Sequence, residues 1–166
     1  MKKIIMAALA IFAVVICFAD PAEGYWISID EKTNKPTAGW EISAKDGKLS
    51  GVILAVADKP QDQKADGAKG KSYAGCPAKG DLGDLTVVGT TWIWDLKNKG
   101  EGVWADGFVI DPNDGKRYKC KITFHKADGG KYKTDTLEMR GEIGMGIGRS
   151  QYWKSATAED IENMKK

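Results

Sequence analysis

The chain has 166 residues, with 25 lysines and arginines against 23 acidic residues and a single histidine. Its first 19 residues hold two lysines and no acid, so residues 20–166 balance 23 basic against 23 acidic side chains. That neutrality removes the electrostatic argument for nucleic-acid binding, and the 147 residues after position 19 suit one domain with a substantial core.

The opening "MKKIIMAALAIFAVVICFAD" sets two lysines before an apolar run and a small residue, Ala19, before Asp20 and Pro21. This pattern predicts a cleaved secretory signal over residues 1–19, hence a periplasmic or secreted protein of residues 20–166 with no stable membrane insertion. A spanning anchor would need a longer apolar stretch and basic residues on its far flank, where Asp20 and Glu23 stand instead. Ile16 before Cys17 is too bulky for a lipoprotein processing site. Loss of the signal leaves Cys76 and Cys120, an even pair in an oxidising compartment, which predicts a disulfide with two separate thiols as the alternative. A zinc site would need more ligands than one histidine supplies, so no metal and no cofactor are expected.

Beyond the signal, alternation of period two dominates. "GYWISID" reads as a first strand, and "GWEISAK" as a second that ends at the hairpin turn Asp46-Gly47. "KLSGVILAVA" is a third strand with a bend or bulge at Gly51. A stretch rich in Lys, Asp and Gly then runs over residues 58–84 without periodicity, either as a lid or as a floppy insertion. Strands resume with "LTVVGTTWIWDLK" and "GVWADGFVID", and "PNDG" turns the chain. "KRYKCKITFHK" sets Tyr118, Cys120, Ile122 and Phe124 on one face and Arg117, Lys119, Lys121, Thr123 and His125 on the other. After "YKTDTLEMRGEIG" and "MGIGRSQYWKSA", Thr157 is placed to cap a short terminal helix. The expectation is an all-β fold of about eight antiparallel strands with a C-terminal helix, and recurrent glycines favour closure into a barrel.

Two sets of residues carry a resemblance. Gly24 and Trp26 on the first strand, with Arg149 near the last, resemble the lipocalin and calycin trio in which an arginine packs across an indole and seals one end of the barrel. The attraction is that of a guanidinium for an aromatic face. More widely, "GYWISID", "GKLSGVIL", "GVWADGFVIDPNDGKRYKCKITF" and "RGEIGMGIGRSQYW" are similar to the exported bacterial family of domain of unknown function 2147. That resemblance spans nearly all of residues 20–166 and implies a lipocalin-like barrel. The family pattern commonly carries Asp and Asn-Pro in the mid-chain loop, where this chain has "DKPQDQ".

No enzyme signature emerges. His125 stands among outward lysines, Cys120 faces inward, and Asp106 and Asp111 lie beside or within turns. "GEIGMGIG" lacks the following helix that a phosphate loop needs. The six tryptophans admit two readings, since a barrel of this width either fills with side chains or holds one small guest. If it holds one, Trp40, Trp92, Trp94, Tyr118 and Phe124 are the expected lining, and the protein is an exported carrier of a hydrophobic or amphipathic molecule. If it is filled, the protein is an envelope or host interaction module that works through its surface. Nothing in the sequence fixes an oligomeric state.

Overall fold

The computed structural model describes residues 20–166; the expected signal segment lies outside them. Eight antiparallel strands run β1 Gly24–Ile29, β2 Pro36–Lys45, β3 Lys48–Val56, β4 Thr91–Gly100, β5 Val103–Ile110, β6 Arg117–His125, β7 Thr136–Gly144 and β8 Ile147–Ala156, followed by the helix α1 Ala158–Asn163. Each strand pairs with its sequence neighbour, and β8 returns to pair with β1, which closes the barrel and leaves no free edge.

Local chemistry accounts for the turns. Asp46 and Gly47 both adopt positive φ, +52° and +74°, the two-residue turn whose twist matches a hairpin. Thr157 caps α1 reciprocally: its Oγ1 accepts from the Asp160 amide, and the Asp160 carboxylate accepts from the Thr157 amide. The helix lies on the outer side of β2, where Gly39 makes room; a Cβ there would stand 2.5 Å from Ile161 Cδ1.

The even-numbered hairpins and the N-terminus gather at one end, which is shut. Residues 20–23 cross it: Trp104 Nε1 donates to Asp20 Oδ1 at 3.0 Å, the Gly102 amide donates to Asp20 Oδ2, and the Ala44 amide donates to Glu23 Oε2. Trp26 Nε1 donates to the Ala22 carbonyl at 3.0 Å, and its ring meets Phe124 edge to face with centroids 6.2 Å apart. Gly24, at φ +130°, bends this crossing segment into β1. Above the plug, Ile42, Leu49, Leu96, Ile122, Leu137 and Trp153 fill the barrel.

Arg149 takes no part in this closure, contrary to the expectation from the resemblance. The register sets Trp26 opposite Ser155, and Arg149 lies six residues earlier on β8, opposite Gly141. Six residues of strand are roughly 20 Å, so the guanidinium reaches the other end of the barrel, where it pairs with Glu31 at 2.8 Å in an exposed setting. The plug consists of the crossing segment, Trp26, Trp104 and Phe124.

The cysteines also depart from expectation. Both are free thiols and both are buried. Cys120 sits on β6 between Tyr118 and Ile122 and faces the barrel interior. Cys76 belongs to the β3–β4 connection, close enough to Arg117 to feel its charge, and Arg117 faces outward over Tyr73 and Phe108. The sheet therefore stands between the two sulfurs, and no disulfide forms. Burial raises both thiol pKa values and keeps them protonated and unreactive. Neither should react with an alkylating reagent in the folded protein, and both should react in denaturant. A mass two protons lower, with no free thiol after unfolding, would contradict this arrangement.

The long connection between β3 and β4 is docked. It carries two 3-10 turns, Asp66–Ala68 and Leu82–Asp84, and a bridge between Lys64 and Thr86. Lys71 Nζ donates to the Asp114 carbonyl, and the Tyr73 hydroxyl donates to the Gly115 carbonyl at 2.7 Å. Contact with the β5–β6 turn is so close that a Cβ on Gly67 would fall 1.8 Å from the Asn113 carbonyl oxygen. The segment therefore flanks the barrel wall and does not hang as a free lid.

Candidate functional site

At the end opposite the plug the barrel is hollow. The cavity measures about 780 Å³ and is reached past the β1–β2, β3–β4, β5–β6 and β7–β8 connections. Its inner wall is largely apolar, built from Trp40, Ile53, Val56, Val109 and Met139 with the Tyr118 ring. Trp40 is anchored from two sides: it stacks on Trp153 with centroids 4.7 Å apart, and its Nε1 donates to Ser28 Oγ at 3.3 Å. Ser28, buried in the wall, also exchanges hydrogen bonds with Thr37 Oγ1 and with the Ala38 amide and carbonyl, so its polarity is spent inside the protein.

Gly141 shapes one side of the cavity. It pairs with Cys120 on β6 and Arg149 on β8, so the three share a row across the sheet. The Tyr118 side chain covers the space a Cβ would enter, with Tyr118 Cβ 3.4 Å and Cγ 3.6 Å from that position. Gln151 and Arg149 follow on the inner face of β8, and Gln151 Oε1 accepts from Trp153 Nε1 at 3.1 Å.

The rim is mixed in charge. Asp30, Asp58 and Asp111 stand there with Lys35, Lys59 and Arg149. Asp30 is held below the usual carboxylate range, first by the backbone amide of Thr33 and then by that residue's hydroxyl, so it remains an anion fixed by its own turn. Asp111 Oδ1 is similarly engaged by the backbone and side-chain nitrogens of Asn113.

Of the five residues expected to line a ligand site, Trp40 and Tyr118 line the cavity. Phe124 shares their face but lies at the plugged end beside Trp26. Trp92 and Trp94 lie outside the barrel. Trp94 packs on Phe108, which alternates with the inward Val109, and Trp92 Nε1 donates to the Val87 carbonyl of the docked connection at 2.8 Å. The cause is a bulge: Asp95 takes φ +62°, which shifts the phase of β4 so that Ile93 and Leu96 point inward. Sequence reasoning missed Ile53, Val109, Met139, Gly141 and Gln151. Alternation carried part of that signal, since Met139, Gly141 and Gln151 sit at every second position of their strands.

Among the described residues no group of three or more His, Cys, Asp and Glu side chains is placed to hold a metal ion. The histidine lies outside the barrel, where His125 Nε2 and Glu138 Oε2 are 2.9 Å apart and the imidazole stacks on Tyr132. Burial acts to raise the Glu138 pKa, but the hydrogen bonds from Ser150 and His125 together outweigh it and hold the carboxyl below its ordinary range. The carboxylate thus lies between the Ser150 hydroxyl and the His125 imidazole.

An eight-stranded antiparallel barrel, plugged at one end and hollow at the other, is a lipocalin-like architecture. The chain belongs to the family described as "Uncharacterized protein conserved in bacteria (DUF2147)", whose profile matches residues 24–155. A search of curated proteins gives no match. Among solved structures the barrel is similar to "Protein HP1028 from the human pathogen Helicobacter pylori", described as belonging to the lipocalin family. The two share 19% sequence identity over 87% of this chain and 88% of that one, with a TM-score of 0.65.

Proposed function

We propose that the protein is an exported carrier that holds a hydrophobic or amphipathic small molecule in the open half of its barrel, in the periplasm or after secretion, and that it has no catalytic role. The observation that carries this reading is the cavity: about 780 Å³, with an apolar inner wall anchored by the Trp40–Trp153 stack. A barrel whose aromatics filled it would leave room for little beyond water, whereas small-molecule sites span roughly 300–1,000 Å³. The signal-like residues 1–19 support export.

A second reading, an envelope or host interaction module, draws on a different feature. Ile143, Met145 and Ile147 at the β7–β8 tip are 72%, 98% and 59% exposed. Native mass spectrometry of protein purified from its own host separates the two readings. A co-purifying mass that is released by competition with apolar molecules supports carriage. A protein that arrives empty and binds nothing from a lipid and metabolite panel sinks it.

A further inference from the structure

We infer that the inner wall of β6, β7 and β8 is the headgroup site of this cavity and that it takes a carboxylate on an apolar chain, the chemistry of a fatty acid. The inference rests on the carrier reading and specifies its ligand.

Three side chains of this wall carry polar atoms without a partner among the described residues. An indole N–H can only donate, so the bond from Trp153 Nε1 fixes which end of the Gln151 amide is oxygen. Both Nε2–H donors of Gln151 are therefore free, and they make no hydrogen bond to a described residue. The Tyr118 hydroxyl likewise has no partner among the described residues, and its ring leans across the bare Gly141 on the same wall. Arg149, in the row of Gly141, spends Nε and Nη2 on the single oxygen Glu31 Oε2, at 3.3 and 2.8 Å, and keeps Nη1 free.

These three side chains offer N–H and O–H donors, and the buried hydroxyl across the cavity, Ser28, is already satisfied. A guest that leaves the donors unpaired loses their hydrogen bonds, while a carboxylate takes up several of them as charge-assisted bonds. The Glu31 ion pair is solvent-exposed and weak, so a ligand carboxylate can share or replace it. With the carboxylate on this wall, the apolar chain of the guest lies against Trp40, Ile53, Val109 and Met139 of the same cavity. The rim acids Asp30 and Asp111 are held by their own turns, and Asp58 shares the rim with Lys35 and Lys59.

The test titrates the protein with decanoate and with methyl decanoate by calorimetry at neutral pH. The acid should bind at least tenfold more tightly than the ester, and the Tyr118→Phe/Gln151→Leu double variant should lose that preference. Arg149→Gln removes only an exposed ion pair from the fold and should reduce the preference at least threefold; it decides the matter if the double variant does not fold. Equal affinities in the unaltered protein, or a preference that survives the substitutions, would overturn the headgroup site while leaving carriage intact. If neither acid nor ester binds, carriage itself fails.

Discussion

A leucine at position 141 is expected to abolish uptake of apolar guests without unfolding the barrel. Gly141 lies in β7 without positive φ, so its backbone accepts any residue. A Cβ there meets only ordinary contacts, the nearest being Tyr118 Cβ at 3.4 Å and Val109 Cγ1 at 3.8 Å. The rest of the side chain projects into the cavity, where new apolar contacts offset the modest crowding. Because Gly141 lines the open half together with Tyr118, Arg149 and Gln151, a leucine there occupies ligand space, and affinity for an apolar probe should fall by roughly 100-fold, about 2.7 kcal/mol. The thermal midpoint should move by only a few degrees, since crowding of this order costs at most about 1–3 kcal/mol. Fluorescence titration with a melting curve on the same sample reads both quantities. Unchanged affinity would place the binding site elsewhere on the molecule.

The second large effect lies at the plug. Trp26→Ala should cost about 3–5 kcal/mol, the range for emptying a buried aromatic site. The substitution removes the indole that meets Phe124 and bonds to Ala22, and it leaves that carbonyl without its donor. Arg149→Ala, by contrast, breaks an exposed ion pair to Glu31 and should cost less than about 1 kcal/mol. Urea denaturation of the two variants gives the ranking directly. A larger loss for the arginine would mean that it does close the barrel, against the register of β8.

The same two ends mark the boundary between what residues declare and what folding arranges. Strand number, the Asp46-Gly47 hairpin and the Thr157 cap follow from local rules: alternation, positive-φ chemistry and capping act within a few residues of chain, whereas closure was only favoured, by the recurrent glycines. Trp40 and Tyr118 were legible as lining residues for the same reason, since β2 keeps its alternation through Trp40 against β1 and β6 keeps its alternation from Lys119 on against β7.

The misplaced residues share a different cause. One bulge at Asp95 turns Trp92 and Trp94 from the inner face to the outer, where the docked β3–β4 connection buries them. A positive φ at an aspartate leaves no mark in a pattern of alternating residues. Arg149 and Trp26 share a face pattern, but their distance along the barrel depends on where β8 pairs with β1, and that register is a property of the closed sheet. Cys76 and Cys120 look like partners in one dimension, yet the sheet lies between them, and sidedness exists only once the connection has docked. By itself the sequence determined about eight antiparallel strands with one apolar face. Bulge phase, strand register and loop docking, each a balance of contacts between distant segments, decided which aromatics surround the cavity and which end of it is open.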